Sequence, residues 1–207
     1  MSNEVLPGNL IVVTAPSGAG KTTLCHAVCK RLGGAIRFSV SHTTRPPRSD
    51  EVDGVAYHFV GHDEFQRMAD ASELIEWAEI HNNYYGTSRA QIEAPLARGI
   101  DIFLDIEGQG AMQIREKNPA AVLVFILPPD EETLRRRLAG RGTDSAEEID
   151  RRCENARREI AFAEQFDYVI VNDYLDDAVA ALEAVVRAAR QRLENMRNAV
   201  ARYTPTP

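Results

Sequence analysis

Residues 15–22 read Ala-Pro-Ser-Gly-Ala-Gly-Lys-Thr, directly after the apolar run Leu10–Thr14 and directly before a stretch with helical character. The spacing follows the phosphate-cradling pattern G-x-x-x-x-G-K-[ST] at every position but the first, where Ala15 stands in place of glycine. Gly18 and Gly20 let the backbone curl until successive N–H groups point inward, at a helix N-terminus whose dipole favours an anion. Lys21 has the reach to meet the β- and γ-phosphates of a nucleotide, and Thr22 can set a hydroxyl against Mg²⁺. Ala15 suits the first position as long as its φ stays negative. Ala15, Pro16, Ser17, Gly18, Ala19, Gly20, Lys21, Thr22 and Thr23 are therefore expected to seat a nucleotide's phosphates.

A second candidate group is acidic. Asp-Ile-Phe-Leu-Asp-Ile-Glu-Gly at 101–108 ends an apolar run on Asp105, with Glu107 two residues on. A carboxylate at the end of a core strand suits a place beside Mg²⁺. Lysine is scarce: of 24 basic residues only Lys21, Lys30 and Lys117 are lysines. Ras-type GTPases read guanine with an Asn-Lys-x-Asp segment, and neither Lys30 (in Cys-Lys-Arg-Leu) nor Lys117 (in Glu-Lys-Asn-Pro) provides one. That branch is excluded. No zinc pattern is present, because His58 and His62 fall on a strand-to-loop stretch and H-E-x-x-H is absent.

The elements that must position these groups alternate short apolar runs with amphipathic stretches, the pattern of an α/β domain. Strands are predicted at Leu10–Thr14, Ile36–Val40, Ile100–Asp105, Val122–Leu127 and Asp167–Val171, the central three nearly continuously apolar, as buried parallel strands are. Helices are predicted at Lys21–Leu32, Gly108–Lys117, Asp130–Ala139, Ser145–Gln165 and from Leu175 to about Met196. Ser145 with Glu148, Ser88 with Gln91 and Asp63 with Gln66 read as capping boxes at helix starts. Residues 43–87 break the alternation with Pro, Gly, Asp and aromatics, and carry strand-like pieces at Val55–Val60 and Leu74–Ile80. They read as an insertion into one domain.

The composition bounds the rest. A chain of 207 residues, 44% hydrophobic and 27% charged, has the size and the apolar content for one well-formed core. The net charge of −7 argues against a general nucleic-acid binder. No apolar run reaches a membrane span, and Met1–Leu10 lacks the regions of a signal peptide. Cys25, Cys29 and Cys153 cannot all pair, so a reducing, cytoplasmic setting is expected, with Cys25 and Cys29 as core filler. The sequence allows a homo-oligomer without predicting one. The charge is also segregated: residues 9–48 hold six bases and no acid, whereas 49–107 hold 13 acids against three arginines.

Ser-Val-Ser-His-Thr-Thr-Arg-Pro-Pro-Arg at 39–48, Glu-Val-Asp-Gly-Val-Ala-Tyr-His-Phe at 51–59 and Glu-Leu-Ile-Glu-Trp-Ala-Glu-Ile-His-Asn-Asn-Tyr-Tyr-Gly-Thr at 73–87 complete a distinctive set. With them the sequence resembles the guanylate kinases, from about Asn9 to about Met196. The resemblance implies a P-loop three-layer α/β fold with a five-stranded, mostly parallel core sheet. It also implies a GMP-binding insertion at about 43–87 in a core of 9–42 and 88–196, a short lid at about 140–145, and a loose tail over 197–207. It implies an ATP:GMP phosphotransferase that uses Mg²⁺ held by Thr22 and, through water, Asp105. ATP and GMP are then the partners, with no role for nucleic acid or membrane.

By the same resemblance Arg45, Arg48, Tyr57 and Tyr85 hold the GMP phosphate. The physics agrees, since guanidinium forks on the stiff Pro46-Pro47 turn suit a dianion. Glu76 matches the guanine-reading carboxylate, Ser41 and Thr87 match hydroxyls that contact the base, and Glu107 matches a further GMP contact. Guanine presents N1–H and N2–H₂ side by side, which one carboxylate accepts, whereas adenine's N1 lone pair would face that carboxylate repulsively. Arg137, Arg141 and Arg152 match arginines that stabilise the transferring charge, with Lys21 the fourth catalytic group. Arg135, Arg136, Arg151, Arg157 and Arg158 read as a solvated helix face. The acceptor is already anionic, so His26, His42, His58, His62 and His81 are given no catalytic role. A silent guanylate-kinase-like interaction domain would lack Lys21 or the lid arginines, and a sugar-phosphate kinase would lack Glu76 in its setting.

Overall fold

A computed structural model describes residues 6–49, 51–80, 82–140, 145–201 and 203 of the protein. Its core sheet has five strands in the order β2-β7-β1-β8-β9, all parallel: β1 (Leu10–Thr14), β2 (Ile36–Phe38), β7 (Asp101–Asp105), β8 (Val122–Leu127) and β9 (Tyr168–Val171). Helix α1 (Lys21–Leu32) and helix α7 (Leu175–Arg190) cover one face, burying Leu24, Val28, Val179 and Leu182 against Ile11, Val13 and Val124. Helices α3 (Arg89–Ala97) and α4 (Gly108–Lys117) cover the other, where Ile92, Ala111 and Ile114 meet Val12, Leu104 and Leu123. The central strands are apolar on both faces because both faces are covered. At the sheet's lower edge Asp101 is buried and accepts from the Asn9 N–H at 2.7 Å and from Arg190 Nε at 2.7 Å, fastening β7 to α7.

A second, four-stranded sheet stands beside the core in the order β4-β3-β6-β5: β3 (His42–Thr43), β4 (His58–Phe59), β5 (Leu74–Ile80) and β6 (Asn83–Ser88). Helix α2 (His62–Asp70) packs Phe65 and Met68 against Leu74 to give it a small core of its own. The sheet thus includes His42 and Ser88, one residue beyond each end of the expected 43–87 insertion. Helices α5 (Glu131–Ala139) and α6 (Ala146–Ile160) form the remaining wall, joined by Leu134, Leu138, Cys153 and Ala156.

Several local expectations shift. Ser145 Oγ does cap α6 by accepting from the Glu148 N–H, at 3.2 Å. Ser88 precedes α3 without a side-chain cap, and the Gln91 side chain instead hydrogen-bonds His58 Nε2 at 2.8 Å. Gly61 precedes α2, so Asp63 lies inside the first turn, and Gln66 bonds Asp70 instead. The predicted helix 175–196 breaks at 191–192, and a separate helix α8 runs Leu193–Ala201. Asn195 explains the break: its Nδ2 donates to the Ala189 carbonyl and to Asn9 Oδ1, both at 2.8 Å, satisfying the end of α7. The tail expected from 197 is therefore helical through Ala201. Among the described residues no helix is long and apolar enough to cross a membrane.

Candidate active site

The loop between β1 and α1 is built around two glycines with left-handed backbone, Gly18 at φ 91° and Gly20 at φ 87°, which L side chains rarely adopt. Ala15 is not among the described residues with positive φ, which is the condition for replacing glycine there. Asn172, buried just after β9, donates from Nδ2 to the Ala19 carbonyl at 2.7 Å and so ties the loop to the far edge of the sheet. Lys21, at the head of α1, forms an ion pair with Asp105 at the C-terminal end of β7. That carboxylate opposes the burial that would otherwise strip the ammonium of its proton, and the lysine stays cationic. Ala15, Pro16, Ser17, Gly18, Gly20, Lys21, Thr22, Thr23, Asp105 and Glu107 line one recess of about 360 Å³.

Thr22 is exposed in that recess, with Asp105 on its wall. Both present hard oxygen donors. Among the described residues no three Asp, Glu, His or Cys side chains converge as a metal cage. Few protein ligands is what Mg²⁺ accepts, since it keeps most of its shell as water and phosphate oxygen. The donor set fits that ion.

The recess opens beside a cavity of about 830 Å³ whose far end is the second sheet. Glu76 is almost wholly buried there, and burial pushes its carboxyl up to about 7 despite a hydrogen bond from Thr87. Thr87 Oγ1 donates to Glu76 Oε1 at 2.7 Å, and Ser41 Oγ lies 3.1 Å from Thr87 Oγ1. Thr87 has a single hydroxyl proton; once it serves Glu76, Ser41 must donate to Thr87. Ser41 and Glu76 line the cavity, while Thr87 sits behind them as the orienting group.

Between the two ends, Arg48, Tyr57 and Tyr85 line the wall, with the tyrosine rings edge-on at 5.9 Å. Arg45 does not line it. Its guanidinium bonds Glu51 Oε1 at 2.8 Å and lies 5.5 Å over the Tyr57 ring. It therefore braces the clamp from behind, and Glu51 also accepts from the Arg48 N–H at 2.8 Å. From α6, Arg152 hydrogen-bonds Ser17 Oγ at the phosphate loop. Arg137 reaches from α5 to the Asp173 carbonyl at 3.4 Å, and its second terminal nitrogen is buried without a partner. Arg141 lies outside the described residues, as does most of the expected lid.

A loop holding phosphate-sized space, a lysine–aspartate pair at its mouth and a buried carboxylate across one cavity is an arrangement for two nucleotides. Residues 7–189 also match the family model described as guanylate kinase. The chain belongs to the guanylate kinase family. The guanylate kinase of Alkalilimnicola ehrlichii is 50% identical over 189 residues, 91% of this chain and 93% of that protein. That of Aromatoleum aromaticum is 51% identical over 190 residues, 92% of this chain and 93% of its own. The crystal structure of guanylate kinase from Anaplasma phagocytophilum shares the fold at TM-score 0.73, with 33% identity across 90% of this chain and 88% of that one. The SH3–kinase fragment of tight junction protein 3 matches at TM-score 0.51 and 11% identity, a likeness of fold alone.

In this guanylate kinase family member the cavity wall contributed by α6 extends well beyond Arg152, the one residue of it that the sequence singles out. Glu148, Arg151, Asn155 and Glu159 all line it beside Arg152. Their recurrence at helical spacing was visible, but so was an equally good solvated face. Arg151, expected on that face, is exposed and paired with Glu148 at 2.7 Å, yet borders the cavity. Glu159 is half-buried at the phosphate end, where burial and then Glu107 push its carboxyl up to about 7. Glu51 was equally invisible, since nothing in Ser-Asp-Glu-Val announces a brace for two arginines.

Proposed function

We propose that the protein transfers the γ-phosphoryl group of ATP to GMP or dGMP, reversibly, giving ADP and GDP or dGDP for guanine nucleotide supply. The observation that carries this is a cavity that runs from Ser17 and Lys21 of the phosphate loop to Ser41 and Glu76, beside the recess that the loop itself lines. In-line attack by a GMP phosphate oxygen forms the new P–O bond as the bond to the bridging oxygen of ADP breaks. The acceptor is already anionic, so no general base is required, and catalysis rests on positioning and charge.

Lys21 and the loop amides hold the donor phosphates. Arg48, Tyr57 and Tyr85 hold the acceptor phosphate, with Arg45 stiffening them. Glu76 and Ser41 read the base, and Thr87 fixes the carboxylate's orientation. Arg137 and Arg152 meet the moving charge, and sequence correspondence extends that role to Arg141. Mg²⁺, when bound, neutralises charge on the phosphate oxygens; Thr22 and, through water, Asp105 would hold it. The three free thiols Cys25, Cys29 and Cys153 agree with work in the cytoplasm.

Product analysis tests the reading. ATP, GMP and Mg²⁺ should yield ADP and GDP in equal amounts, and ATP loss without GDP would refute it. Lys21→Ala should abolish transfer while calorimetric GMP binding persists; loss of GMP binding would contradict two separate sites.

A further inference from the structure

The carboxylate assigned to the base sits on β5, an edge strand. Its pairing with β6 slips between Leu74 and Glu76, leaving Ile75 as a bulge. A bulge bends its strand and re-aims the neighbouring side chain. Here Leu74, Ile75 and Glu76 are buried in succession, which the regular two-residue alternation of a strand cannot give. Leu74 enters the small cluster with Phe65 and Met68, while Ile75 enters the main-core cluster with Ile106 and Ile114. Glu76 is thus turned into the cavity by an irregularity on an unpaired edge, and such an edge needs partners for its backbone groups.

Helix α4 supplies them. Lys117 Nζ donates to the Ile75 carbonyl at 3.0 Å, capping the bulge. Gln113 Nε2 donates to the Trp77 carbonyl at 3.0 Å, and its Oε1 accepts from the Trp77 N–H at 3.4 Å. One turn earlier Gly110 lets the helix come close: a Cβ there would lie 2.9 Å from Glu76 Oε2. Residues 110, 113 and 117 fall on one helical face, so α4 grips β5 on both sides of Glu76. The same helix begins directly after Asp105 and Glu107, which face the phosphate loop.

We propose that Gln113 and Lys117 are positioning residues for guanine recognition, holding the Ile75 bulge so that Glu76 meets the base's two donors. The proposal rests on the reading of Glu76 as the guanine-binding carboxylate. A side chain that orients a contacting group commonly matters almost as much as the contact itself. The clamp acts on one end of the cavity only: GMP affinity depends on it and ATP affinity does not.

Calorimetry on the full chain tests this, with GMP, IMP and ATP as separate titrants for wild type, Gln113→Ala, Lys117→Met and Lys117→Arg. If wild type fails to bind GMP, the functional reading itself is wrong. Given wild-type binding, Gln113→Ala and Lys117→Met should each weaken GMP about five- to tenfold, the order expected when a β5 carbonyl loses its donor. ATP affinity should be unchanged, and Lys117→Arg should restore GMP binding. The preference for GMP over IMP, which lacks the 2-amino donors, should narrow in both weakened variants. Unchanged GMP affinity, or equal losses for GMP and ATP, would overturn the proposal. Should Lys117→Met fail to fold, the half-exposed Gln113→Ala site decides the matter by the same criteria.

Discussion

Replacing Glu76 with glutamine should cost activity and gain stability, with both effects set by one buried carboxyl. The side chain is only 3% exposed, and its carboxyl is pushed up to about 7 by burial. Only the ionised form accepts from both guanine N1–H and N2–H₂. The ionised fraction grows from roughly one-tenth at pH 6 to nine-tenths at pH 8, so kcat/KM for GMP should rise about tenfold across that interval. Glu76→Gln can still accept from Thr87 through its amide oxygen, but it turns an NH₂ toward the guanine donors. That mismatch should lower kcat/KM by about 1–3 kcal/mol, roughly 5- to 150-fold. The GMP phosphate has its own second ionisation near pH ~6, but it titrates alike for both enzymes and cancels in their ratio.

Stability moves the other way. Between the ordinary carboxyl value of 4.5 and about 7, the folded protein keeps a proton that the unfolded chain has lost, so wild-type stability falls as pH rises through this window. At ~1.4 kcal/mol per pH unit, the window amounts to about 3 kcal/mol that the glutamine variant does not lose. Urea unfolding at pH 5 and pH 8 measures the difference, and coupled ADP release with varied GMP measures the rate. A variant with a GMP profile matching wild type, or a stability difference flat with pH, would refute the assignment of Glu76.

Two further changes probe the supports of the site. Asn172→Ala removes the only side-chain bond described to the Ala19 carbonyl, at 2.7 Å, and should destabilise by about 1–3 kcal/mol. Its KM for ATP should rise well beyond any change for GMP, as initial-rate kinetics in each substrate will show. Asp101→Ala leaves the Asn9 N–H and Arg190 Nε without their acceptor and should cost about 1–3 kcal/mol in denaturant unfolding, because Arg190 is partly exposed and keeps the Ala35 and Gly99 carbonyls; kcat should change little in the folded enzyme.

What the sequence disclosed and what it hid follow physical lines. β1 and β8 have the predicted ends, and β7 and β9 lose one residue each at the start, because buried parallel strands write themselves as apolar runs. β3 is two residues long and carries no period to read, and of the strand-like Val55–Val60 only His58–Phe59 forms a strand, β4. β6, Asn-Tyr-Tyr-Gly-Thr-Ser, is polar because one end of it faces a cavity, so hydrophobic patterning could not reveal it. At the site, Lys21, Asp105 and Glu76, which the structure places on the cavity wall, stand out in the sequence because the chemistry expected of them demands particular residue types. Arg45 was legible as a residue but not as a brace, since its partner Glu51 is fixed by loop geometry alone. The grip of Gln113 and Lys117 on β5 was hidden for a related reason: a bulge has no signature in a single sequence.

In the proposed reaction Glu76 reads guanine while phosphate is passed at Lys21, both on the wall of the larger cavity. Steady-state ADP release with GMP, AMP, CMP and UMP under identical conditions tests it most directly. GMP should turn over with kcat/KM exceeding that for AMP by about 10⁴ or more, because a site built on such hydrogen bonds leaves them unpaired with the wrong base. Comparable kcat/KM for GMP and AMP would contradict it.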